Sequence, residues 1–470
     1  MIIKKLKEKL PYPIKQSAKY LYGAIPPRLR YGKVFWETYN FLQESQWWSK
    51  EKLEEYQMQQ LSKLLHHAYE NVPYYRMIFD ERGQKLKDIQ NFDDLRKLPY
   101  LTKDIIRENL LDLIARNFPK SKLWYVTTGG STGIPMGLYW EKGITDQKEW
   151  AFMWRQWNWA RFGFGEKRVT LRGKVINKFK KGKRQWWEYD PINNALILSS
   201  YDMKEKNLSK YIDAIKIFRP VAIQGYPSSL YILANFLRKS NLRIKNIKCI
   251  LASSEMLYSY QIEIIEKYLG AKIYDHYGNT ERNALVMQCE KGSYHIISEY
   301  GIMELIGKDG KPITKEGEKG EIVATGFINY AMPFIRYRTG DLGVFSSEKC
   351  SCGRNYPLLK RVKGRLQDFI VTKTNGRISL TSLIFAQHFE AFSRIKELQI
   401  VQQKIGSIKI KIVKTPEFTE KDENEILLKI KNACRKELVI DFDYVSHITR
   451  TKNGKYNFLI QELPVNFGDR

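Results

Sequence analysis

Thr127-Thr128-Gly129-Gly130-Ser131-Thr132-Gly133-Ile134-Pro135 follows Leu123-Trp124-Tyr125-Val126 in this chain of 470 residues, and the fold turns on how this stretch is read. Glycines let backbone N–H groups approach an anion closely. The four hydroxyl residues Thr127, Thr128, Ser131 and Thr132 add rotatable donors that can follow a phosphate oxygen. Leu123 to Val126 reads as a buried strand, and a strand feeding such a loop predicts a grip on polyphosphate. The stretch is not the G-x-x-x-x-G-K-[ST] phosphate loop, because no Lys-Ser or Lys-Thr closes it. Taken alone, a plain polar turn is the competing reading.

Four more short strings follow: Tyr277-Gly278-Asn279-Thr280-Glu281, Arg338-Thr339-Gly340-Asp341-Leu342, Gly364-Arg365 and Asn453-Gly454-Lys455. In this order and at these separations the chain resembles the adenylate-forming superfamily of acyl-CoA synthetases, luciferases and peptide-synthetase adenylation domains. The resemblance covers roughly residues 60–460. His67-Ala68-Tyr69-Glu70-Asn71-Val72-Pro73-Tyr74-Tyr75-Arg76 resembles the opening of phenylacetate–CoA ligases and their CapK-like, capsule-associated relatives. The resemblance implies an α/β enzyme. Its large N-terminal domain of αβ-layered sheets carries a β-rich subdomain, and a small mobile α+β domain follows at the C-terminus.

The reaction implied is activation of a carboxylic acid. A carboxylate is a poor acyl donor because its leaving group would be oxide or hydroxide. Attack on the α-phosphate of ATP, with pyrophosphate leaving, gives an acyl-adenylate whose AMP leaves readily. Catalysis is then positioning and charge stabilisation. By resemblance, the loop Thr127, Thr128, Gly129, Gly130, Ser131, Thr132 and Gly133 holds the β- and γ-phosphates. Met136 stands where many members carry lysine, so one phosphate contact is missing. Ser254 and Glu255 run along the adenine, Tyr277 and Gly278 bind it, and Thr280 touches the α-phosphate. Glu281 ligates Mg²⁺, Asp341 accepts from the ribose hydroxyls, and Arg365 contacts ribose or phosphate from the hinge. Lys455 reaches the carboxylate and α-phosphate during adenylation. Tyr226 and His276 are weaker pocket candidates, with simple packing as the other reading of His276.

The implied acceptor is the thiol of CoA; a sugar amine or carrier-protein thiol is the second choice. The hinge reads Gly364-Arg365-Leu366-Gln367-Asp368 where relatives commonly show Gly-Arg-x-Asp-Asp, and Thr372-Lys373-Thr374-Asn375-Gly376-Arg377 departs from the thioester-forming version. Adenylation is therefore better supported than transfer to CoA. A different class, a non-catalytic membrane-associated assembly factor of the same fold, is opposed by the intact Thr/Gly loop, Glu281, Asp341 and Lys455.

Lys and Arg total 79 against 51 acidic residues, a net charge of +28. No zinc-finger, helix-turn-helix or RNA-recognition signature accompanies that charge, which argues against nucleic acid as a partner. Two readings stay open, a lysine-rich solvated surface and attraction to an anionic membrane face. Ile2, Ile3, Leu6 and Leu10 share a helical face ringed by Lys4, Lys5, Lys7 and Lys9, and Lys15, Lys19, Arg28, Arg30 and Lys33 follow. No run of 18 apolar residues exists, and the start lacks a long apolar core and a cleavage site. The expectation is a cytoplasmic protein, peripheral at the inner membrane face if the basic segment binds lipid.

Apolar spacing predicts a helix over 50–82 and a core-facing tryptophan stripe of Trp150, Trp154 and Trp157. Alternating strands and helices follow to Tyr274, with sites at strand ends, and short strands make a β-rich region from about 285 to 362. Thr419-Glu420-Lys421-Asp422 caps a helix carrying Ile426, Leu427, Ile430 and Ala433. The expected domains are a basic extension over 1–49, a large adenylation domain over 50–362 and a lid over 363–470.

Of the five cysteines, Cys249 sits in an apolar strand and reads as core. Cys289, His295, Cys350 and Cys352 make a three-thiol, one-imidazole set that suits closed tetrahedral zinc. Several members of the resembled branch show a similar arrangement. Free thiols in a reducing compartment are the alternative.

Overall fold

The computed structural model describes residues 12–128, 136–172, 176, 178–180, 183–200, 203, 205–365, 369–374, 377–379, 383, 391, 394–434, 437–450 and 457–463. They fall into two compact units. The first is Met1–Trp47 with Gly143–His276 and Met287–Gly292; the second is Trp48–Lys142 with Tyr277–Val286 and Ser293–Arg470.

The first unit is built on near-continuous apolar strands, the pattern expected of a parallel sheet covered on both faces. Arg168–Leu171, Ala195–Leu198, Ala222–Gly225, Cys249–Ser253 and Ile273–Gly278 run parallel, and Trp187–Asp190 adds an antiparallel edge. Register aligns Leu196, Val169, Ile223, Ile250 and Ile273 in one row across the sheet. All five are buried with helices Glu205–Phe218, Pro227–Lys239 and Ser259–Leu269 in one apolar cluster. Each such side chain contributes about 1.5–3 kcal/mol.

Residues 31–47 are part of this body. Helix Lys33–Ser45 packs on helix Thr145–Trp159, with Phe35 and Leu42 fully buried. Trp154 Nε1 donates to the Tyr31 hydroxyl at 2.9 Å, and Trp159 Nε1 donates to Gln46 Oε1 at 2.8 Å. The tryptophan stripe is core at Trp154 and Trp157, whereas Trp150 is exposed.

In the second unit the expected helix over 50–82 is two helices, Lys50–Asn71 and Pro73–Glu81. Pro73 disfavours helical backbone at the residue before it. Val72 is extended (ψ 108°), and proline occupies the first helical position. Among the described residues, Leu123–Thr127 pairs antiparallel with Gly137–Glu141 alone. A two-stranded ribbon has little with which to cover its faces, so the strand read as buried leaves Trp124 and Tyr125 exposed.

The β-rich region is antiparallel. Gly301–Ile306, Lys319–Gly326, Tyr337–Ser346 and Leu358–Arg365 pair in turn, and Tyr294–Ile296 joins the last. Near the C-terminus the strand order is Val439–Tyr444, Ser407–Lys414, Ile395–Lys404, Leu459–Gln461. Helix Glu420–Ala433 starts with a capping box between Thr419 and Asp422, and Ile426 and Ile430 enter a cluster with Leu398, Ile400, Ile408 and Ile410. Among the described residues no helix is long and apolar enough to cross a membrane.

Candidate functional site

In the first unit the candidates gather where parallel strands end, the usual location of ligand sites in open α/β sheets. Arg172 follows strand Arg168–Leu171, Tyr226 follows Ala222–Gly225, and Ser254 follows Cys249–Ser253. Arg172 Nη2 donates to Ser254 Oγ at 2.9 Å, and its guanidinium lies 5.4 Å from the Tyr226 ring centroid. Ser254 holds φ +71°, a conformation non-glycine residues seldom adopt. Glu255 Oε2 accepts the Ser228 backbone N–H at 3.0 Å, at the first turn of helix Pro227–Lys239, where a carboxylate is favoured by the helix dipole. His276 is half-buried and pairs in register with Ser253.

The second unit brings Tyr277, Glu281 and Asp341 together. Strand Tyr337–Ser346 turns Tyr337, Thr339 and Asp341 to one face by its two-residue period, and all three are buried. Tyr277 donates through its hydroxyl to Asp341 Oδ2 at 2.7 Å, and Tyr337 donates to Glu281 Oε1 at 2.7 Å. Thr339 Oγ1 donates to the Ile322 carbonyl at 2.8 Å and accepts the Asp341 N–H at 3.0 Å. Burial of its hydroxyl end and the Asp341 carboxylate hold the Tyr277 phenol well above its ordinary range, so it stays a neutral donor. Gly340, at φ +76°, supplies the left-handed step beside Asp341. Just upstream, buried Arg336 donates to Glu304 at 3.0 and 3.1 Å and to the Leu98 carbonyl at 2.6 Å, which anchors the start of the strand.

Thr280 offers its carbonyl to Trp140 Nε1 at 3.0 Å. Thr128 Oγ1 accepts the Met136 N–H at 3.1 Å, and the Met136 side chain is core. Thr127 is placed only as the end of its strand, and Gly278 as the end of Ile273–Gly278. Gly129, Gly130, Ser131, Thr132, Gly133 and Lys455 lie outside the described residues, as do Ile2 to Leu10 and hinge residues 366–368. Arg365 is placed only by its backbone, opposite Asp341. Sequence reading missed Tyr337, Arg172 and Trp140. Tyr337 carried a signal: it stands four residues before Asp341, hence on the same face.

His295, Cys350 and Cys352 form a group whose donor atoms all lie within 4.8 Å of one another. His295 is fully buried, and its Nε2 is 3.4 Å from Cys352 Sγ. Cys289, six positions earlier in the chain, is buried, and its sulfur accepts the Lys291 N–H at 3.3 Å. Cys249 is core, and burial pushes its thiol up to about 12.

The fold is similar to that of a 2-hydroxyisobutyryl-CoA ligase structure, at a TM-score of 0.67 and 17% identity over 89% of this chain and 93% of that one. A family model for the CapK C-terminal domain matches residues 370–462. Protein CapK of Staphylococcus aureus is 26% identical over 449 residues, 94% of this chain and 95% of that protein. The chain is similar to CapK along nearly its whole length and has the fold of the adenylate-forming ligases. This CapK-like chain is also similar to the phenylacetate-coenzyme A ligase of Thermus thermophilus, at 27% identity over 69% of its own length and 73% of that enzyme.

Proposed function

We propose that this protein activates a carboxylic acid with ATP and passes the acyl group to the thiol of CoA. A carboxylate oxygen attacks the α-phosphorus, the bond to the pyrophosphate oxygen breaks, and an acyl-adenylate forms. The thiol sulfur then attacks the acyl carbon, AMP leaves, and the thiol proton passes to solvent. The observation that carries this reading is the paired donor arrangement around two acids, Tyr277 on Asp341 and Tyr337 on Glu281.

Each pair fits one part of a magnesium nucleotide. A carboxylate has about four acceptor positions, so Asp341 can take the Tyr277 proton and still receive ribose hydroxyls. Glu281 can likewise hold Tyr337 and offer oxygen to Mg²⁺, a hard cation that bridges phosphates and neutralises their charge. Tyr277, as a neutral phenol, serves the adenine, and Ser254 and Glu255 line its edge. The Thr127–Gly133 loop grips the outer phosphates, Arg365 serves the nucleotide from the hinge, and Lys455 neutralises charge at the reacting carboxylate. Tyr226 and His276 border the acid.

A second reading, transfer to a sugar amine or carrier thiol, is favoured by the departing hinge sequence Leu366-Gln367-Asp368. We also assign His295, Cys350 and Cys352, with Cys289 as the fourth donor offered by the sequence, to a structural zinc. Sulfur and nitrogen donors at this spacing suit zinc, and four protein ligands leave no open position for catalysis.

The deciding experiment is ATP–pyrophosphate exchange across a panel of carboxylic acids, followed by product analysis with CoA and with amines. Exchange with one acid class and a CoA thioester as product support the first reading. An acyl amide without thioester selects the second. No exchange with any acid, in protein that binds no ATP, refutes both.

A further inference from the structure

Among the described residues, helix Tyr12–Ala24 and the following turn Pro27–Arg30 meet the first unit around Pro191 and Ile192. Gly23 lies so close to the Pro191 carbonyl that a Cβ there would approach its oxygen to 2.5 Å. The Tyr20 and Tyr189 rings are 6.1 Å apart, and Arg30 donates to the Ile192 carbonyl. Away from that contact, Ile14, Ala18 and Leu21 fall at i, i+4 and i+7, one helical face, and Ile25 and Leu29 continue the apolar series beyond the helix. Leu21 is 73% exposed and Leu29 is 75% exposed.

Exposed leucines clustered in one segment need a partner, and the charge around them says which kind. Between Tyr12 and Trp36 the chain has Lys15, Lys19, Arg28, Arg30 and Lys33 and no Asp or Glu. Exposed Tyr22 adds an aromatic ring of the kind that sits at a lipid–water interface. We propose that residues 12–30 form a docking surface for an anionic lipid bilayer, lying in its plane with Ile14, Leu21 and Leu29 in the headgroup boundary and Lys19 and Arg28 among lipid phosphates. A second copy of the chain would bring like charges face to face. A nucleic acid would leave the leucines wet.

The inference is independent of the adenylation chemistry, and its test uses the full chain with vesicles of phosphatidylcholine alone or mixed with phosphatidylglycerol. Co-sedimentation is expected only with the mixed vesicles, and binding weakens as salt rises. Leu21→Ser with Leu29→Ser is expected to weaken binding about tenfold per leucine, from about 1.5 kcal/mol for each apolar side chain withdrawn from water. Lys19→Ser with Arg28→Ser is expected to weaken it about fivefold per charge, from about 1 kcal/mol for each basic residue at an anionic surface. These side chains are exposed, so melting temperatures should match wild type and separate lost docking from lost folding.

Three outcomes overturn the proposal. One is absent or equal binding to the two vesicle types. Another is loss of binding through the charge pair with no effect of the leucine pair, which marks general polyanion attraction. The third is concentration-dependent self-association abolished by the leucine pair, without vesicle binding, which marks a second copy of the chain.

Discussion

Tyr337→Phe removes one oxygen and tests how Glu281, the carboxylate proposed to hold Mg²⁺, is positioned. The Tyr337 hydroxyl donates to Glu281 Oε1 at 2.7 Å, and both residues are buried. Phenylalanine keeps the ring in its cluster with Phe334 and Met332, so packing is preserved and only the donor is lost. A hydrogen bond to a charged group is worth about 1.5–3 kcal/mol, or about 10- to 150-fold in an equilibrium or rate that depends on it. Groups that orient a metal ligand cost about 10- to 100-fold when removed, which agrees. The expected result is a fall of about 10- to 100-fold in ATP–pyrophosphate exchange at low Mg²⁺, partly recovered at high Mg²⁺ because the carboxylate is loosened and not deleted. Glu281→Gln should lower exchange more, and Tyr337→Phe added to it should cost little further, since the two act as one unit. Unchanged exchange and Mg²⁺ dependence in folded Tyr337→Phe, or simple additivity with Glu281→Gln, would refute the reasoning.

Lys455→Ala is expected to abolish most of the exchange while leaving ATP binding within a few fold; wild-type exchange in this variant removes the lysine from the reaction. Purified protein should carry about one zinc per chain by elemental analysis, and Cys352→Ser should lose it and melt at lower temperature; fully folded, metal-free wild type removes the cluster assignment. Asp422 is held near 2 by the Arg394 guanidinium, which donates to it at 2.6 and 2.9 Å, and by the N-cap bonds to Thr419. A carboxyl lowered in the folded state stabilises fully above its unfolded value of about 4 and loses that contribution as pH falls toward 2. Acid unfolding of the C-terminal region should therefore shift between those limits, and Asp422→Asn should flatten that dependence. Tyr277→Phe is expected to raise the KM for ATP several-fold by freeing the Asp341 carboxylate; an unchanged KM breaks the link between that pair and the nucleotide.

Much of this protein could be read along the chain. Strands such as Cys249–Ser253 announced themselves because both faces are covered and the run is apolar. The Thr419–Asp422 box was legible because a cap is settled within four residues. The helix over 50–82 was misjudged at Val72-Pro73, where apolar periodicity continues but the proline ring breaks the backbone. Leu123–Thr127 looked buried because its residues are large and apolar, yet exposure depends on how many strands cover it, and here there is one.

The amino-acid order alone determined the motifs, their succession and the element types, since propensity, capping and period act over a few residues. The choice of partners was left to tertiary structure. Tyr337 meets Glu281 across 56 positions and Tyr277 meets Asp341 across 64. Those meetings depend on strand register, and the ladder shifts at Glu321/Val323 and again at Asp341/Gly343. A one-residue slip turns every side chain to the other face, so no local pattern could say which donor reaches which acid, or that Leu21 and Leu29 would be left facing water.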